Sequence, residues 1–492
     1  MISKKLQQAR DYEREHMGSI SPQDRPVFHI TPGIGWLNDP NGFSYYNGEY
    51  HVFYQYHPYS TEWGPMHWGH VAGKDLLTWD RYPVVMAPDE EYDNFGCFSG
   101  SALGLEDGRQ LLLYTGVHTL GGFENPREME QTQCVAIGDG INYEKCDANP
   151  LIRISDVPGG GQKSDFRDPK IWRDPEDGKY YCVAASMDHD GNGRILEFES
   201  GDLLHWQYRG EIAASRGNLG KMWECPDFFS LNGKQVVLVS LMAVQPDGVF
   251  HTGHNTACMI GDYDKENCVF ERETLNLLDC GIDFYAPQTM CAPDGRRIMI
   301  GWMQSPTNAK FVPEHARFFG QMTVPRELEV KDGKLFQNPV REILKHRVRP
   351  VVCKNVEVEG RKELEGVSGR VVDMTVHISA SGAESFAIQV ACDDIHHTDI
   401  LFEPERQMLR IDRSACGYLF DIVHTREFPI RCSEHGELTL RLLIDRMSVE
   451  VFVNDGEQAA TATIFTPQAA DAIRFECKGK ARISVEKYDL DI

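Results

Sequence analysis

Two stretches of the chain, residues 74–81 (KDLLTWDR) and residues 201–209 (GDLLHWQYR), follow one pattern. The aromatic residue of this pattern recurs at gaps of 64, 63, 64 and 66 residues, at Trp79, Tyr143, Trp206, Phe270 and Phe336. Units of this length, each with about four short strands, are typical of propeller blades. Five such units predict a five-bladed β-propeller.

A second landmark follows the same repeat. This landmark is the position where a strand follows an acidic or small polar residue. It recurs at gaps of 60, 69, 57 and 61 residues, at Pro40, Gly100, Pro169, Pro226 and Pro287. The sequence around these points consists of short apolar runs interrupted by Gly, Asn, Asp and Pro, which is typical of an all-β protein. We therefore expect equivalent positions in successive blades.

The composition changes beyond about residue 350. All eight tryptophans lie between Trp36 and Trp302, and the later segments, such as 438–444, alternate apolar and polar residues. This alternation is typical of half-buried antiparallel strands and predicts a β-sandwich. The expected order is a helical extension at 1–27, a propeller at 28–336, a connector at 337–349 and a sandwich at 350–492.

The charge balance excludes several classes of partner. The 492 residues include 50 Lys and Arg against 74 Asp and Glu, a formal net charge of −24. Such a surface repels phosphate backbones and anionic lipid, which argues against nucleic-acid and membrane-surface binding. No apolar run approaches the ~18 residues of a membrane span, and the N-terminus lacks the apolar core of a signal peptide. The fourteen scattered cysteines, without C-x-x-C spacing, favour reduced thiols in a cytoplasmic protein.

Three acidic residues share a position in the repeat: Asp39 in WLNDPNG, Asp168 in FRDPKIW and Glu224 in WECPDFF. Proline biases the residue before it towards extended backbone, so we expect these side chains at the start of strands. The innermost strand of each blade lines the channel of a propeller, and the three positions fall in blades one, three and four. The sequence therefore predicts three carboxylates directed into one funnel.

This arrangement suits glycoside hydrolysis, which needs one ionised carboxylate and one protonated acid for the leaving oxygen. Asn38 beside Asp39 provides a donor that favours the ionised form, whereas Trp223 and Cys225 predict an apolar setting that keeps Glu224 protonated. Further side chains offer faces and polar groups for a sugar: Trp36, Trp63, Trp68, Trp172, Trp223, Trp302, Asn38, Gln55, Ser99 and Arg167.

At this point the chain resembles glycoside hydrolase family 32 over roughly residues 28–490. The motifs that carry the resemblance occur in the family's order: WLNDPNG, FYQYHP, WGPMHWGH, FSGSA, FRDPKIW, WECPD, FYAPQ and RRIMIGWM, followed by DRMSVEVFVNDG at residues 445–456. That family includes invertases, sucrose-6-phosphate hydrolases, inulinases and levanases.

The resemblance implies a retaining mechanism on a terminal β-fructofuranoside, with no metal or organic cofactor. It implies that Asp39 is the nucleophile, that Glu224 is the general acid and then base, and that Asp168 holds fructose hydroxyls. It also implies sugar contacts from Asn38, Gln55, Trp63, Phe98, Ser99, Arg167, Tyr285 and Trp302. A retaining pair predicts that the carboxyl groups of Asp39 and Glu224 lie roughly 5–5.5 Å apart.

Several alternatives stay open at this stage. A fructosyltransferase, or a five-bladed inverting glycosidase acting on arabinose or xylose polymers, would use the same three acids. A carbohydrate-binding module is disfavoured, since binding alone needs no nucleophile. Sucrose, sucrose-6-phosphate and short fructo-oligosaccharides all suit an intracellular hydrolase, although the negative charge disfavours a phosphorylated substrate unless local Lys or Arg residues compensate. The formation of a homo-oligomer is also left open.

Overall fold

The computed structural model describes residues 2–217, 219–309, 313, 315–418, 423–433 and 436–492. In these ranges the strands form five antiparallel sheets, whose first strands contact one another in a ring, and one larger C-terminal sheet. The prediction of an all-β chain with a five-bladed propeller and a C-terminal sandwich is confirmed.

Four strands in chain order build each of the first four blades. Blade one contains β1 (Gly35–Tyr46), β2 (Glu49–His57), β3 (His67–Gly73) and β4 (Asp80–Met86). Blade two contains β5 (Gly96–Gly104), β6 (Gln110–Leu120), β7 (Arg127–Gly138) and β8 (Tyr143–Lys145). Blade three contains β9 (Phe166–Arg173), β10 (Tyr180–Met187), β11 (Gly193–Ser200) and β12 (Trp206–Ala214). Blade four contains β13 (Trp223–Leu231), β14 (Lys234–Val244), β15 (Gly253–Asp264) and β16 (Val269–Leu277).

The fifth blade also closes the ring. Its sheet contains β17 (Tyr285–Cys291), β18 (Arg297–Trp302), β20 (Arg326–Lys331) and β21 (Lys334–Pro339). The short strand β19 (Phe318–Phe319) leaves this blade and pairs in parallel with the start of β1. The last part of the propeller is thereby hydrogen-bonded to the first blade.

Both sequence landmarks occupy the same strand in every blade. The aromatic landmark lies at or within two residues of the start of the outermost strand, next to β4 and in β8, β12, β16 and β21. The second landmark lies in the innermost strands β1, β5, β9, β13 and β17, and each of these strands has a shift of register there. The sequence repeat therefore reflects a structural repeat, and the register shifts occur where the strands face the channel.

The C-terminal strands form a folded sheet of ten strands. They are β22 (Arg347–Ser368), β23 (Val372–Ser379), β24 (Ser385–Cys392), β25 (Thr398–Glu403), β26 (Met408–Asp412), β27 (Thr425–Pro429), β28 (Glu437–Asp445), β29 (Ser448–Val453), β30 (Gln458–Thr463) and β31 (Ala472–Leu490). The first half of β31 pairs with β24 and its second half with β23, so the long pair β22 and β31 connects both layers of the sandwich. Gly360 and Gly479, both with positive φ, lie between the two halves.

Helices are few in the described part of the chain. One α-helix, α1 (Lys4–His16), begins after Ser3, whose hydroxyl accepts a hydrogen bond from the backbone N–H of Leu6. Short 3₁₀ turns occur at Met17–Ser19, Pro22–Asp24, Glu91–Asp93, Ile154–Asp156, Arg341–His346 and Asn454–Gly456. Strand β21 ends at Pro339 and strand β22 begins at Arg347, so both strands enter the segment 337–349 that the sequence assigned to a connector. No helix in the described ranges combines the length and apolar composition that a membrane crossing needs.

A buried ionic cluster joins the propeller to the sandwich. His29 Nδ1 lies 2.8 Å from Asp445 Oδ2, and His29 Nε2 lies 2.9 Å from Glu450 Oε1. Arg326 in β20 contacts Glu450 from the other side and also binds Asp279. Asp445 and Glu450 both belong to the motif DRMSVEVFVNDG, so this motif attaches the sandwich to the propeller.

This cluster predicts a dependence of stability on pH. Burial acts to lower the pKa of His29, but its hydrogen bonds to Asp445 and Glu450 raise it to about 9. Because the folded-state pKa is raised, the stabilisation is complete below the unfolded value of about 6.5 and is lost as the pH rises through about 9. We expect urea titrations to show that His29→Gln costs most free energy of unfolding near pH 6 and less at higher pH. A difference that does not depend on pH would mean that His29 acts through packing alone.

Candidate active site

One cavity of about 640 Å³ opens at the end of the propeller channel where the innermost strands begin. The three predicted acids enter it from different blades, Asp39 from β1, Asp168 from β9 and Glu224 from β13. The cavity is also lined by all eight predicted sugar-binding residues: Asn38, Gln55, Trp63, Phe98, Ser99, Arg167, Tyr285 and Trp302. The structure therefore brings together residues from all five blades.

Other lining residues were not anticipated from the sequence. They are Glu62, Met129, Gln131, Ser164, Asp165, Pro306 and Ala309. Most lie in loops or on a third strand, where no repeated motif marks them. Conversely, Trp68 and Trp223 are fully buried, and Trp172 stacks on Tyr181 at the opposite end of the channel. These three tryptophans do not line the cavity, so the expectation that they offer sugar-stacking faces is wrong.

Asp39 lies among polar donors and two other carboxylates. The hydroxyl of Ser99 donates a hydrogen bond of 3.2 Å to Asp39 Oδ2. Burial, followed by the charges of Glu224 and Asp168, raises the pKa of Asp39 to about 7, and hydrogen bonds from Asn38 and Ser99 act in the opposite direction. The donors expected to favour the ionised form of Asp39 are present, but burial and the two other carboxylates act against them.

Asp168 is held rigidly through its backbone and its carboxylate. Its N–H donates to the hydroxyl of Thr115 at 2.9 Å, and its Oδ2 accepts from the backbone N–H of Cys225 at 2.9 Å. Burial raises the pKa of Asp168 to about 6, against the opposing charge of Arg167. Its φ is +63°, so Asp168 does not have the extended backbone that the following Pro169 predicts; aspartate is one of the residues that tolerate this region.

Two donors hold the carboxylate of Glu224. Arg167 donates to Oε1 from Nε at 3.2 Å and from Nη2 at 3.1 Å, and the hydroxyl of Tyr285 donates to Oε2 at 2.7 Å. The contacts of Glu224 are thus polar ones from blades three and five. These contacts come from other blades and not from Trp223 or Cys225, its neighbours in the sequence, because successive side chains on a strand point to opposite faces.

The thiol of Cys225 instead contacts the other two acids. Its Sγ lies 3.6 Å from Asp168 Oδ2 and 3.7 Å from Asp39 Oδ2. Burial raises the pKa of the Cys225 thiol well above its usual range, and the negative charges of Asp168 and Asp39 act in the same direction. Cys225 is therefore a protonated, weak donor towards both carboxylates and is unsuited to act as a nucleophile.

Aromatic side chains form walls on two sides of the cavity. Trp36 and Trp302 meet edge to face, with ring centroids 6.0 Å apart. At the mouth, Trp63 is 42% exposed and packs edge-on against Phe98 at 5.9 Å. An exposed aromatic face above a polar, acidic floor suits a ligand that has both apolar faces and hydroxyl groups, as sugars have.

Two models of one family together match most of the chain. Residues 29–339 match the Glycosyl hydrolases family 32 N-terminal domain, and residues 342–490 match the Glycosyl hydrolases family 32 C-terminal domain. The chain belongs to glycosyl hydrolase family 32. The resemblance found in the sequence motifs is thus confirmed, and the family match includes both the propeller and the sandwich.

Relatives within family 32 are similar over nearly their full length. A raffinose invertase of Escherichia coli is 36% identical over 457 residues, which cover 90% of each chain. A sucrose-6-phosphate hydrolase of the same species is 34% identical over 449 residues, 89% of each chain. A variant of a family 32 β-fructofuranosidase from Bombyx mori, solved in complex with sucrose, matches with a TM-score of 0.85 and 30% identity, covering 100% of this chain and 99% of that one.

Proposed function

We propose that this protein is a retaining β-fructofuranosidase that releases terminal β-D-fructofuranosyl residues from sucrose, sucrose-6-phosphate or short fructo-oligosaccharides. The observation that carries the proposal is the meeting of Asp39, Asp168 and Glu224 in one cavity with all the predicted sugar-binding side chains. The relatives support the substrate class, since they are named for raffinose and sucrose-6-phosphate, and one structural neighbour holds sucrose.

In the first step, ionised Asp39 attacks the anomeric carbon of the fructosyl unit. Protonated Glu224 donates its proton to the glycosidic oxygen, so that the leaving sugar departs as a neutral alcohol. Burial raises the pKa of Asp39 to about 7, with the charges of Glu224 and Asp168 acting in the same direction, and burial raises that of Asp168 to about 6. The reaction requires a proton on Glu224 and none on Asp39. Glu224 then accepts a proton from the water that releases fructose from Asp39.

The donors around Glu224 suit its change of role. Once Glu224 has lost its proton, Arg167 and the hydroxyl of Tyr285 stabilise its carboxylate through the three hydrogen bonds described above. Asp168 is fixed by the backbone of Cys225 and can accept hydrogen bonds from fructose hydroxyls. Its negative charge also stabilises the positive charge that develops on the sugar ring.

A direct test is the anomer of the first product. Purified protein mixed with sucrose should release fructose that appears first as the β-anomer in a ¹H NMR time course and equilibrates later. Initial release of the inverted anomer, or release of arabinose or xylose from polymers in place of fructose, would contradict the proposal. Net formation of longer fructosides at low sucrose concentration would indicate a fructosyltransferase.

The pH dependence of the reaction offers a second test. Because Asp39 must be ionised and its pKa is raised to about 7, kcat/KM should fall as the pH decreases below neutrality. Ser99→Ala removes a hydrogen bond that stabilises the ionised form, so the acidic limb should move to higher pH by about half a unit to one unit. Initial rates of fructose release between pH 4 and 9 measure this shift. An unchanged limb would mean that another group controls it.

We also propose that the protein acts in the cytoplasm. All fourteen cysteines are free and ten of them are buried, which suits a reducing compartment. Two of the relatives are named sucrose-6-phosphate hydrolases, that is, after a phosphorylated sugar. Fractionation of cells that express the protein tests this placement.

A further inference from the structure

The walls of the cavity carry a strong excess of negative charge. Five acidic side chains line it against a single cationic one among the described lining residues, Arg167. The acids are Asp39, Glu62, Asp165, Asp168 and Glu224. A ligand in this cavity therefore meets a negative environment unless Arg167 is available to it.

Arg167 is not available, because protein atoms occupy its donors. Nη1 donates to Asp165 at 3.0 Å and to Gln131 at 3.2 Å, while Nε and Nη2 donate to Glu224. Nη2 also lies 3.8 Å from the sulfur of Met242. The Arg167 side chain is 9% exposed, so its guanidinium has no pair of N–H groups accessible to another anion.

Two lysines directly adjoin lining residues in the sequence. Lys163 precedes the lining residue Ser164, but its ammonium is directed to Glu130 at 4.0 Å and is 68% exposed to solvent. Lys310 follows the lining residue Ala309 and lies outside the described residues. Both lysines enter the experiment below as variants.

We propose that this enzyme selects unphosphorylated fructosides and discriminates against sugars that carry a phosphate group. The inference rests on the proposed function and narrows its substrate class. A phosphate monoester carries about −1.5 to −2 charges at neutral pH and is normally bound by Arg or Lys side chains or by clustered backbone N–H groups. In this cavity it would lose water and meet like charges, and Arg167, the cation among the described lining residues, is already bound to protein acceptors.

The test compares kcat/KM for sucrose and for sucrose-6-phosphate with the same purified protein. We expect the value for sucrose-6-phosphate to be lower by about tenfold or more at low ionic strength. Raising the salt concentration to about 0.5 M should narrow this gap, because salt screens repulsion between charges, and should leave the value for sucrose nearly unchanged.

Reversal of one charge at the mouth gives a sharper test. Glu62 is an exposed residue that lines the cavity, so Glu62→Lys should raise the ratio of the two kcat/KM values in favour of sucrose-6-phosphate several-fold. Glu384→Lys makes the same change of charge on the sandwich, at a side chain that is 79% exposed, and is the matched control. An equal response of both variants would contradict a local charge effect.

The outcomes separate the selectivity from the function. Hydrolysis of sucrose-6-phosphate with a kcat/KM equal to or above that of sucrose would overturn the selectivity and leave the fructofuranosidase intact. Loss of sucrose-6-phosphate hydrolysis in Lys163→Ala or Lys310→Ala would then identify the lysine that binds the phosphate group. Absence of fructose release from both substrates, and from raffinose, would refute the proposed function itself.

Discussion

Replacing Asp39 with asparagine should lower kcat/KM for sucrose by about 10⁴-fold or more. The amide has the shape of the carboxylate and can keep the contact with Ser99, but it cannot form the covalent bond to fructose. Initial rates of fructose release measure the loss. The free energy of unfolding at pH 8 should not fall, because the neutral amide removes a charge that the other two carboxylates repel.

Glu224→Gln is the matched variant that separates the two catalytic roles. An acid is needed only when the leaving group is poor, so this variant should lose far more activity on sucrose than on an aryl β-fructofuranoside, whose leaving group needs little protonation. Asp39→Asn should lose activity on both. Equal losses for Glu224→Gln on the two substrates would contradict its role as the acid, and substantial sucrose hydrolysis by Asp39→Asn would contradict its role as the nucleophile.

The fold could be predicted from the sequence because the repeat is periodic and local. The aromatic landmark marks the outermost strand of each blade, and the second landmark marks the innermost one. Since equivalent positions of innermost strands meet at the channel, the position of Asp39, Asp168 and Glu224 in the repeat was enough to predict that they share a cavity. The order of the strands within each blade is therefore sufficient to place the three acids at the channel.

The electrostatics of the site could not be predicted, because they depend on which side chains meet across blades. Tyr285 donates to Glu224 from 61 residues away, and Arg167 donates to it from 57 residues away. Neighbours in the sequence gave the wrong environment for Glu224, since Cys225 points towards Asp39 instead. Contacts of this kind follow from the closure of the ring and from the alternation of faces along each strand.

The ionic cluster between the domains was likewise hidden from the sequence, and it leads to the largest expected effect on stability. The Arg326 side chain is fully buried, and Nη1 donates to Asp279 at 3.0 Å while Nη2 donates to Glu450 at 2.5 Å and to Thr461 at 2.7 Å. Arg326→Met removes the cation and leaves two buried carboxylates without it. We expect a loss of about 3–5 kcal/mol in the free energy of unfolding, because breaking a buried ion pair from one side leaves an uncompensated charge.

The matched control is Arg109→Met. Arg109 also contacts a carboxylate, Asp107 at 2.6 Å, but the two side chains are 58% and 49% exposed, so water replaces the lost contact. The midpoint of urea unfolding should therefore move strongly towards lower urea for Arg326→Met and hardly at all for Arg109→Met. The double variant Arg326→Met/Asp279→Asn should recover part of the loss, because it removes the charge of a buried carboxylate that Arg326 binds. Equal midpoints for Arg326→Met and Arg109→Met would show that the sandwich is held to the propeller by apolar packing and not by this cluster.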